Sequence, residues 1–212
     1  MVEDDQGLFH DGVSMRSAWR WRRIGISVVC AMSLMSIAVG TSTAGAMRPH
    51  DAGTNYGCRD RFIGRQIFPV AVTGNTPTSI EIPESQVSMT DVQAAITIPG
   101  SALEKPIKKG AITLTATVNV LDINASDARV KTMNVAKTPI TVGPIALVSG
   151  QSLVLKIPPS PTSTGIWGAK NTGTMTFTTG KVTIVLDFGS PGSTTAQCTP
   201  KPAAVISTTE VT

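Results

Sequence analysis

The stretch "AITLTATVNV", residues 111–120, decides the fold class, because apolar and polar side chains alternate through it with a period of two. Successive side chains of a β-strand point to opposite faces of a sheet, so the pattern predicts a strand with one apolar and one hydroxylated face. The expected inward residues are Ile112, Leu114, Ala116, Val118 and Val120. The stretch therefore predicts a half-buried strand.

Runs rich in Val, Ile and Thr recur on both sides of this strand, separated by segments whose Gly, Pro, Ser and Asn residues favour turns. A turn is also expected at Gly180-Lys181, and residues 85–96 fit either a helical turn or a strand with a bulge. Short strands divided by turns are typical of sandwiches and barrels, so we expect an all-β, immunoglobulin-like antiparallel β-sandwich. The other predicted strands are 62–72, 130–135, 139–148, 152–157 and 174–188.

The first 46 residues have the features of a signal peptide. Arginines precede an apolar run at residues 24–39, which is short for a membrane span, and Ala44 and Ala46 form an A-x-A cleavage pattern. We expect a signal-peptide helix that is removed after Ala46, with translation starting at Met15; the alternative is an uncleaved anchor, the one expected contact with a membrane. The chain then divides into a flexible leader (47–57), a β-sandwich domain (58–200) and a C-terminal tail (201–212). We expect the tail to be flexible, and the alternative is a last edge strand.

Cys58 and Cys198 lie near the two ends of the predicted mature chain, whereas Cys30 lies inside the signal peptide. Two cysteines in an exported protein predict one disulfide. A metal site needs more soft ligands than are visible, and a nucleophilic thiol needs a base partner. We therefore expect a Cys58–Cys198 disulfide in a secreted, extracellular protein.

Six motifs follow one another in a characteristic order: "YGCRDRFIGRQIFPVAV" (56–72), "ITIPG" (96–100), "TLTATVNV" (113–120), "VAKTPI" (135–140), "NTGTMTFTTGKVTIVLDF" (171–188) and "CTPKP" (198–202). Their order resembles a family of secreted actinobacterial β-sandwich domains that is classified as a domain of unknown function. The resemblance spans about residues 56–200 and implies a sandwich fold, export and a disulfide, but no activity.

No catalytic, metal or cofactor site is predicted. His50 lies in the predicted leader, which leaves nucleophilic catalysis without a base inside the fold. The acids fall mostly at turns, as Glu81 and Glu84 do around Pro83. The loop 122–127 has alternating oxygen ligands but lacks the glycine that a calcium loop requires at its sixth position.

Basic residues supply the candidate binding site, in a chain of net charge +4. Arg59, Arg61 and Arg65 share one face if they lie on one regular strand, and a second basic group occupies residues 105–109. These charges either protect a sheet edge or bind anionic envelope polymers or lipid headgroups. Trp167 either plugs an open end of the sandwich or forms an exposed anchor for a glycan or another extracellular protein.

Together these features predict a secreted, non-catalytic cell-envelope or extracellular module with a binding or structural role. One alternative is a carrier of an apolar ligand between the sheets, which needs a pocket above about 300 Å³. The other is an enzyme with a scattered carboxylate site. Nucleic acid is not expected as a partner, because no aromatic residues are interleaved with the basic ones for stacking on bases.

Overall fold

The computed structural model describes residues 47–82 and 86–212, which form one compact unit that is predominantly β. The all-β prediction is confirmed. The predicted signal peptide, with Met15, Ala44 and Ala46, lies outside the described residues, as does Glu84. The elements are β1 (Met47–Asp60), β2 (Gly64–Pro77), β3 (Ser79–Ile80), β4 (Gln86–Ser88), β5 (Thr90–Ile98), α1 (Gly100–Lys108), β6 (Thr113–Ala125), β7 (Thr132–Asn134), β8 (Ile140–Ala146), β9 (Leu153–Thr162), β10 (Ile166–Gly168), β11 (Gly173–Asp187), β12 (Ser193–Pro200) and β13 (Val205–Val211).

Eleven strands of the described chain join in one hydrogen-bonded sheet. Its main path runs β3-β13-β11-β12-β1-β2-β5-β9, and β6 lies along the other edge of β11 and pairs with β7 and β8. All these pairings are antiparallel except that of β13 with β3. The remaining two strands, β4 and β10, form a separate antiparallel pair. Strands β1 and β2 therefore lie in the interior of the large sheet, between β12 and β5.

Strand β6 follows the predicted alternation over only half its length. Ile112, expected to point inward, is 77% exposed, and Val120 is only partly buried. The register with β11 shifts between the residues paired with Val118 and Val120, so that Asn119 is an extra residue. This bulge moves the buried positions by one residue. The buried side chains of β6 are Leu114, Ala116, Val118, Leu121, Ile123 and Ala125.

The turn expected at Gly180-Lys181 is wrong, because β11 continues through these residues. Gly180 marks a close approach between strands: a Cβ there would lie 2.7 Å from the carbonyl oxygen of Asp122 on β6. The carbonyl of Gly180 also accepts a hydrogen bond from the hydroxyl of Tyr56, at 3.0 Å. A glycine inside a strand commonly serves such close packing.

The predicted flexible leader, 47–57, forms most of β1 instead. This strand pairs with β2 over its whole length, from Met47 opposite Pro77 to Asp60 opposite Gly64. Its inward side chains include Ala52 and Tyr56, which are buried. The sequence shows no alternation of apolar and polar residues here, because main-chain pairing does not require apolar residues at every second position.

The predicted tail, 201–212, contains β13, which lies between β3 and β11. This strand is difficult to recognise in the sequence, because several of its buried residues carry hydroxyl groups. Ser207 shares a hydrogen bond of 2.5 Å with Thr76, and the hydroxyl of Thr209 donates to the carbonyl of Pro77 at 2.8 Å. Because these hydroxyls have partners, they can be buried at moderate cost.

Of the segment 85–96, the described residues 86–96 form β4 and most of β5, and the register of β5 with β2 and with β9 is irregular. The apolar residues of this segment are not spaced as in a regular strand, because the backbone is irregular at Asp91, which has a positive φ of 53°. The helix α1 forms instead where a turn was expected. Ala102 and Leu103 pack into the core, and the amides of Lys109 and Ala111 donate to the carbonyl of Pro106 at the helix end.

Cys58 and Cys198 form a disulfide, as the sequence predicts. The two residues lie directly opposite each other on β1 and β12, with their Cα atoms 4.0 Å apart. Both are buried, at 3% exposure. Such a bond is typical of an oxidising compartment. No helix within residues 47–82 or 86–212 has both the length and the apolar character to cross a membrane.

Candidate binding site on the outer face of the first hairpin

Trp167 is not an exposed anchor, so this part of the predicted binding patch is wrong. Its side chain is fully buried and packs edge-on against Phe177, with ring centroids 5.1 Å apart. The residue lies on β10 and pairs with Val87 on β4. Its indole N–H has no hydrogen-bond partner among the described residues. Trp167 therefore belongs to the core, because the Gly- and Pro-rich segment around it contains a short strand.

The three arginines do not lie on one strand, because residues 58–72 form a hairpin. Arg59 is the next-to-last residue of β1, Arg65 is the second residue of β2, and Arg61 lies in the turn between the strands. Arg59 and Arg65 are directly opposite each other in the register, and both are exposed. The expected patch therefore reduces to this pair, while Arg61 lines a different depression.

Asp60 holds the turn of this hairpin. Its carboxylate accepts hydrogen bonds from the amides of Phe62, at 2.5 Å, and Ile63, at 2.6 Å, and from the hydroxyl of Thr194 on β12. Three donors satisfy a carboxylate that is only 8% exposed. The function of Asp60 is thus structural: it fixes the backbone that places Arg59 and Arg65.

The outer hairpin face is the side of β1 and β2 turned away from the core. It consists of the outward residues Gly53, Asn55, Gly57 and Arg59 on β1 and Arg65, Ile67, Pro69 and Ala71 on β2. A depression of about 800 Å³ lies at its arginine end. A second depression, of about 390 Å³, is lined by residues of the next rows, including Asn55, Pro69 and Ala71.

Three cations line the larger depression, and the described residues around it include no acid. The third cation, beside Arg59 and Arg65, is that of Lys201, the residue directly after β12. The side chain of Lys201 lies across Gly57, since a Cβ on that glycine would be 2.7 Å from the lysine Cε. The backbone of Lys201 is fixed by its amide, which donates to the carbonyl of Asn55 at 2.7 Å.

Sequence reasoning missed Lys201 because it lies far along the chain from the arginines. The usable signal was the pair of cysteines. Lys201 comes three residues after Cys198, and Arg59 directly follows Cys58. A disulfide between opposite strands brings those neighbours together. Combining the predicted disulfide with the charges beside each cysteine would have placed the third cation.

A second basic cluster surrounds Phe62 in the hairpin turn. The ring of Phe62 stacks on Phe188, with centroids 5.8 Å apart, and the ammonium groups of Lys105 and Lys109 lie 5.6 and 4.5 Å from its centroid. Arg61 and Phe62 line a depression of about 510 Å³ with hydroxylated residues of β12. These contacts give Lys105 on α1 and Lys109 at the end of the helix a packing function.

Two further acids of the described chain have pKa values shifted by their surroundings. On α1, Glu104 accepts hydrogen bonds from the hydroxyl of Ser149 and the amide of Gly150, and these bonds lower the pKa of its carboxyl. Burial raises the pKa of Asp122. Within residues 47–82 and 86–212, no three His, Cys, Asp or Glu side chains are grouped to hold a metal ion.

The carrier alternative needs a cavity in the core. An enclosed gap between the strands is lined by Tyr56, Phe68, Ile96 and Ile184, together with the disulfide. The gap is too narrow to hold even a water molecule. This gap therefore has no space for an apolar ligand.

Comparison of the chain with models of protein families, with curated proteins and with solved structures found no match in any of the three.

Proposed function

We propose that the protein is an exported, non-catalytic binding module of the cell envelope, and that the outer hairpin face binds an anionic envelope component. One observation carries this proposal: Arg59, Arg65 and Lys201 converge on a depression of about 800 Å³ whose described lining residues include no acid. Clefts lined by charge of one sign concentrate ligands of the opposite sign.

Edge protection does not account for these charges. Lysines and arginines commonly guard the outer strands of a sheet against pairing with other chains. Here β1 is flanked by β12 and β2, and β2 by β1 and β5. Like charges directly opposite each other across two strands are destabilising. An anionic partner between Arg59 and Arg65 removes that cost.

Export and the finer fold are parts of the same proposal. The buried disulfide between Cys58 and Cys198 supports an oxidising compartment. Residues 1–46 then serve as the signal peptide. The proposed finer fold is an immunoglobulin-like sandwich in which the large, almost entirely antiparallel sheet would fold over on itself to supply both layers.

Retention on an isolated envelope fraction tests the proposal. The variant Arg59→Gln/Arg65→Gln/Lys201→Gln removes three charges from the outer hairpin face. The matched control Arg129→Gln/Lys131→Gln/Lys170→Gln removes three charges from other exposed positions. We expect the first variant to lose retention by at least about tenfold and the control to remain close to wild type. Equal retention of all three proteins would overturn the proposal.

A further inference from the structure

We infer that the anion bound by the outer hairpin face is a phosphomonoester group carried on an envelope polymer. This inference rests on the proposed function and names the chemistry of its ligand. Its basis is the arrangement of Arg59 and Arg65 as direct cross-strand partners, with Lys201 one outward row away.

The two arginines present two planar guanidinium groups on the same face, each able to bind a pair of oxygens like a fork. Cβ atoms of directly opposite residues lie about 4.5–5.5 Å apart, so two outward guanidinium groups can reach one anion between them. Each guanidinium donates two parallel N–H bonds to a pair of oxygens. A phosphomonoester has three terminal oxygens and a charge of about −1.5 to −2, which suits two forks and an ammonium. A carboxylate has two oxygens and a single charge, so it leaves part of the site uncompensated.

Lys201 supplies the third cation, and hydrogen bonds hold its backbone beside the outer hairpin face. Gly57 and Arg59 are successive outward residues of β1, and two residues of a strand span about 6.6 Å. The lysine side chain crosses Gly57, where no Cβ intervenes. Its backbone is held on both sides, because the hydroxyl of Thr54 also donates to the carbonyl of Pro202 at 2.7 Å. Because the backbone is already fixed, only the lysine side chain has to be ordered on binding, which limits the loss of entropy.

The same face has room for the polymer that bears the phosphate. Ile67, opposite Gly57, is 62% exposed and offers apolar surface beside the cations. The next outward rows, Asn55 with Pro69 and Gly53 with Ala71, line the second depression. A chain attached to a phosphate at the arginines can therefore continue along the hairpin.

Two dextrans of equal charge density test the chemistry of the ligand, one phosphorylated and the other carboxymethylated. We expect wild type to bind the phosphorylated dextran at least about tenfold more tightly. The variant Arg59→Lys/Arg65→Lys keeps both charges but lacks the forks. It should lose that preference while its melting temperature stays near wild type, and the control Arg129→Lys should keep the preference. An unchanged preference in the double variant, or none in wild type, would overturn the inference.

Free inorganic phosphate distinguishes the source of the group. We expect it to displace the phosphorylated dextran only at phosphate concentrations at least tenfold above those of the polymer-bound groups, because multiple contacts strengthen polymer binding. Displacement at equal concentrations would overturn the assignment to a polymer. If wild type binds neither dextran and is not retained by the envelope fraction, the proposed function fails as well; retention with no preference between the dextrans rejects the phosphate assignment alone.

Discussion

Cys58 and Cys198 are directly opposite each other on β1 and β12, and their disulfide brings Lys201 beside Gly57 on the outer hairpin face. The same bond joins chain segments that are 140 residues apart. One covalent link therefore stabilises the fold and assembles the candidate site. The two functions lead to separate predictions.

Replacing both cysteines, as Cys58→Ala/Cys198→Ala, should lower the free energy of unfolding by about 2–5 kcal/mol. The loss arises mainly because an unfolded chain without the link has more conformational freedom. Urea unfolding, followed by tryptophan fluorescence, measures it. An unchanged urea midpoint would contradict a structural function for the disulfide.

The substitution Gly57→Ala should weaken ligand binding with little effect on stability. The new Cβ would lie 2.7 Å from Cε of Lys201, so the flexible lysine side chain must move away. We expect a loss of about three- to tenfold in affinity, since one charged contact is displaced while every charge remains. As a control, Gly168→Ala adds a Cβ away from the outer hairpin face, where the nearest atom, Cδ of Arg129, is at an ordinary contact distance of 3.4 Å. Equal affinities of the two variants would argue against the position assigned to Lys201.

Because the phenol of Tyr56 is buried, we expect the protein to become less stable at alkaline pH. Burial raises the pKa of its phenol from 10.0 to about 12, so the folded state holds the proton more tightly than the unfolded state. The stabilisation is complete below pH 10 and is lost as the pH rises towards 12, by about 2–3 kcal/mol at most. Tyr56 is the one tyrosine of the sequence, so tyrosinate absorbance follows it directly.

The variant Tyr56→Phe isolates this effect from the titration of lysines. At neutral pH it should lose about 1 kcal/mol, because the carbonyl of Gly180 loses its hydrogen bond. The difference in stability between wild type and variant should then shrink and reverse sign above pH 10. A constant difference from pH 8 to pH 12 would show that the phenol is not shielded as described.

Trp167 should tolerate an aromatic replacement but not truncation. Its indole N–H has no partner among the described residues, so Trp167→Phe removes no hydrogen bond seen there. It should cost clearly less than truncation, because the phenyl ring leaves only part of the indole volume empty. Trp167→Ala leaves a cavity and should cost about 3–5 kcal/mol. Thermal unfolding of both variants checks this. Equal costs would indicate a buried partner for the N–H group.

The sequence predicts the class of the fold well but not the limits of its strands. Alternation identified β6, yet the bulge at Asn119 reverses which residues are inward after it. The predicted leader and tail both contain paired strands. In the tail, hydrogen bonds made by the hydroxyls of Ser207 and Thr209 permit burial of a polar segment. Pattern recognition detects apolar faces, and these segments are held by polar contacts and main-chain pairing.

The candidate site was half predictable. The sequence predicted that Arg59, Arg61 and Arg65 share one face of a single strand. Only Arg59 and Arg65 share a face, and they do so as cross-strand partners, because the turn that Asp60 fixes lies between them. Trp167 attracted attention because it lies in a loop-like segment, although a short strand there buries it. Lys201 required the disulfide and the register together. Sites assembled across a sheet depend on strand pairing, which a single sequence specifies poorly.

The most direct test of the account is to map ligand contacts on the protein by amide NMR, with phosphorylated dextran fragments added stepwise. We predict that the largest shifts occur at Gly57, Arg59, Arg65, Ile67 and Lys201, around the depression of about 800 Å³. Shifts centred instead on Arg61, Phe62 and Thr194, which line the other basic depression, or an absence of shifts at saturating ligand, would contradict it.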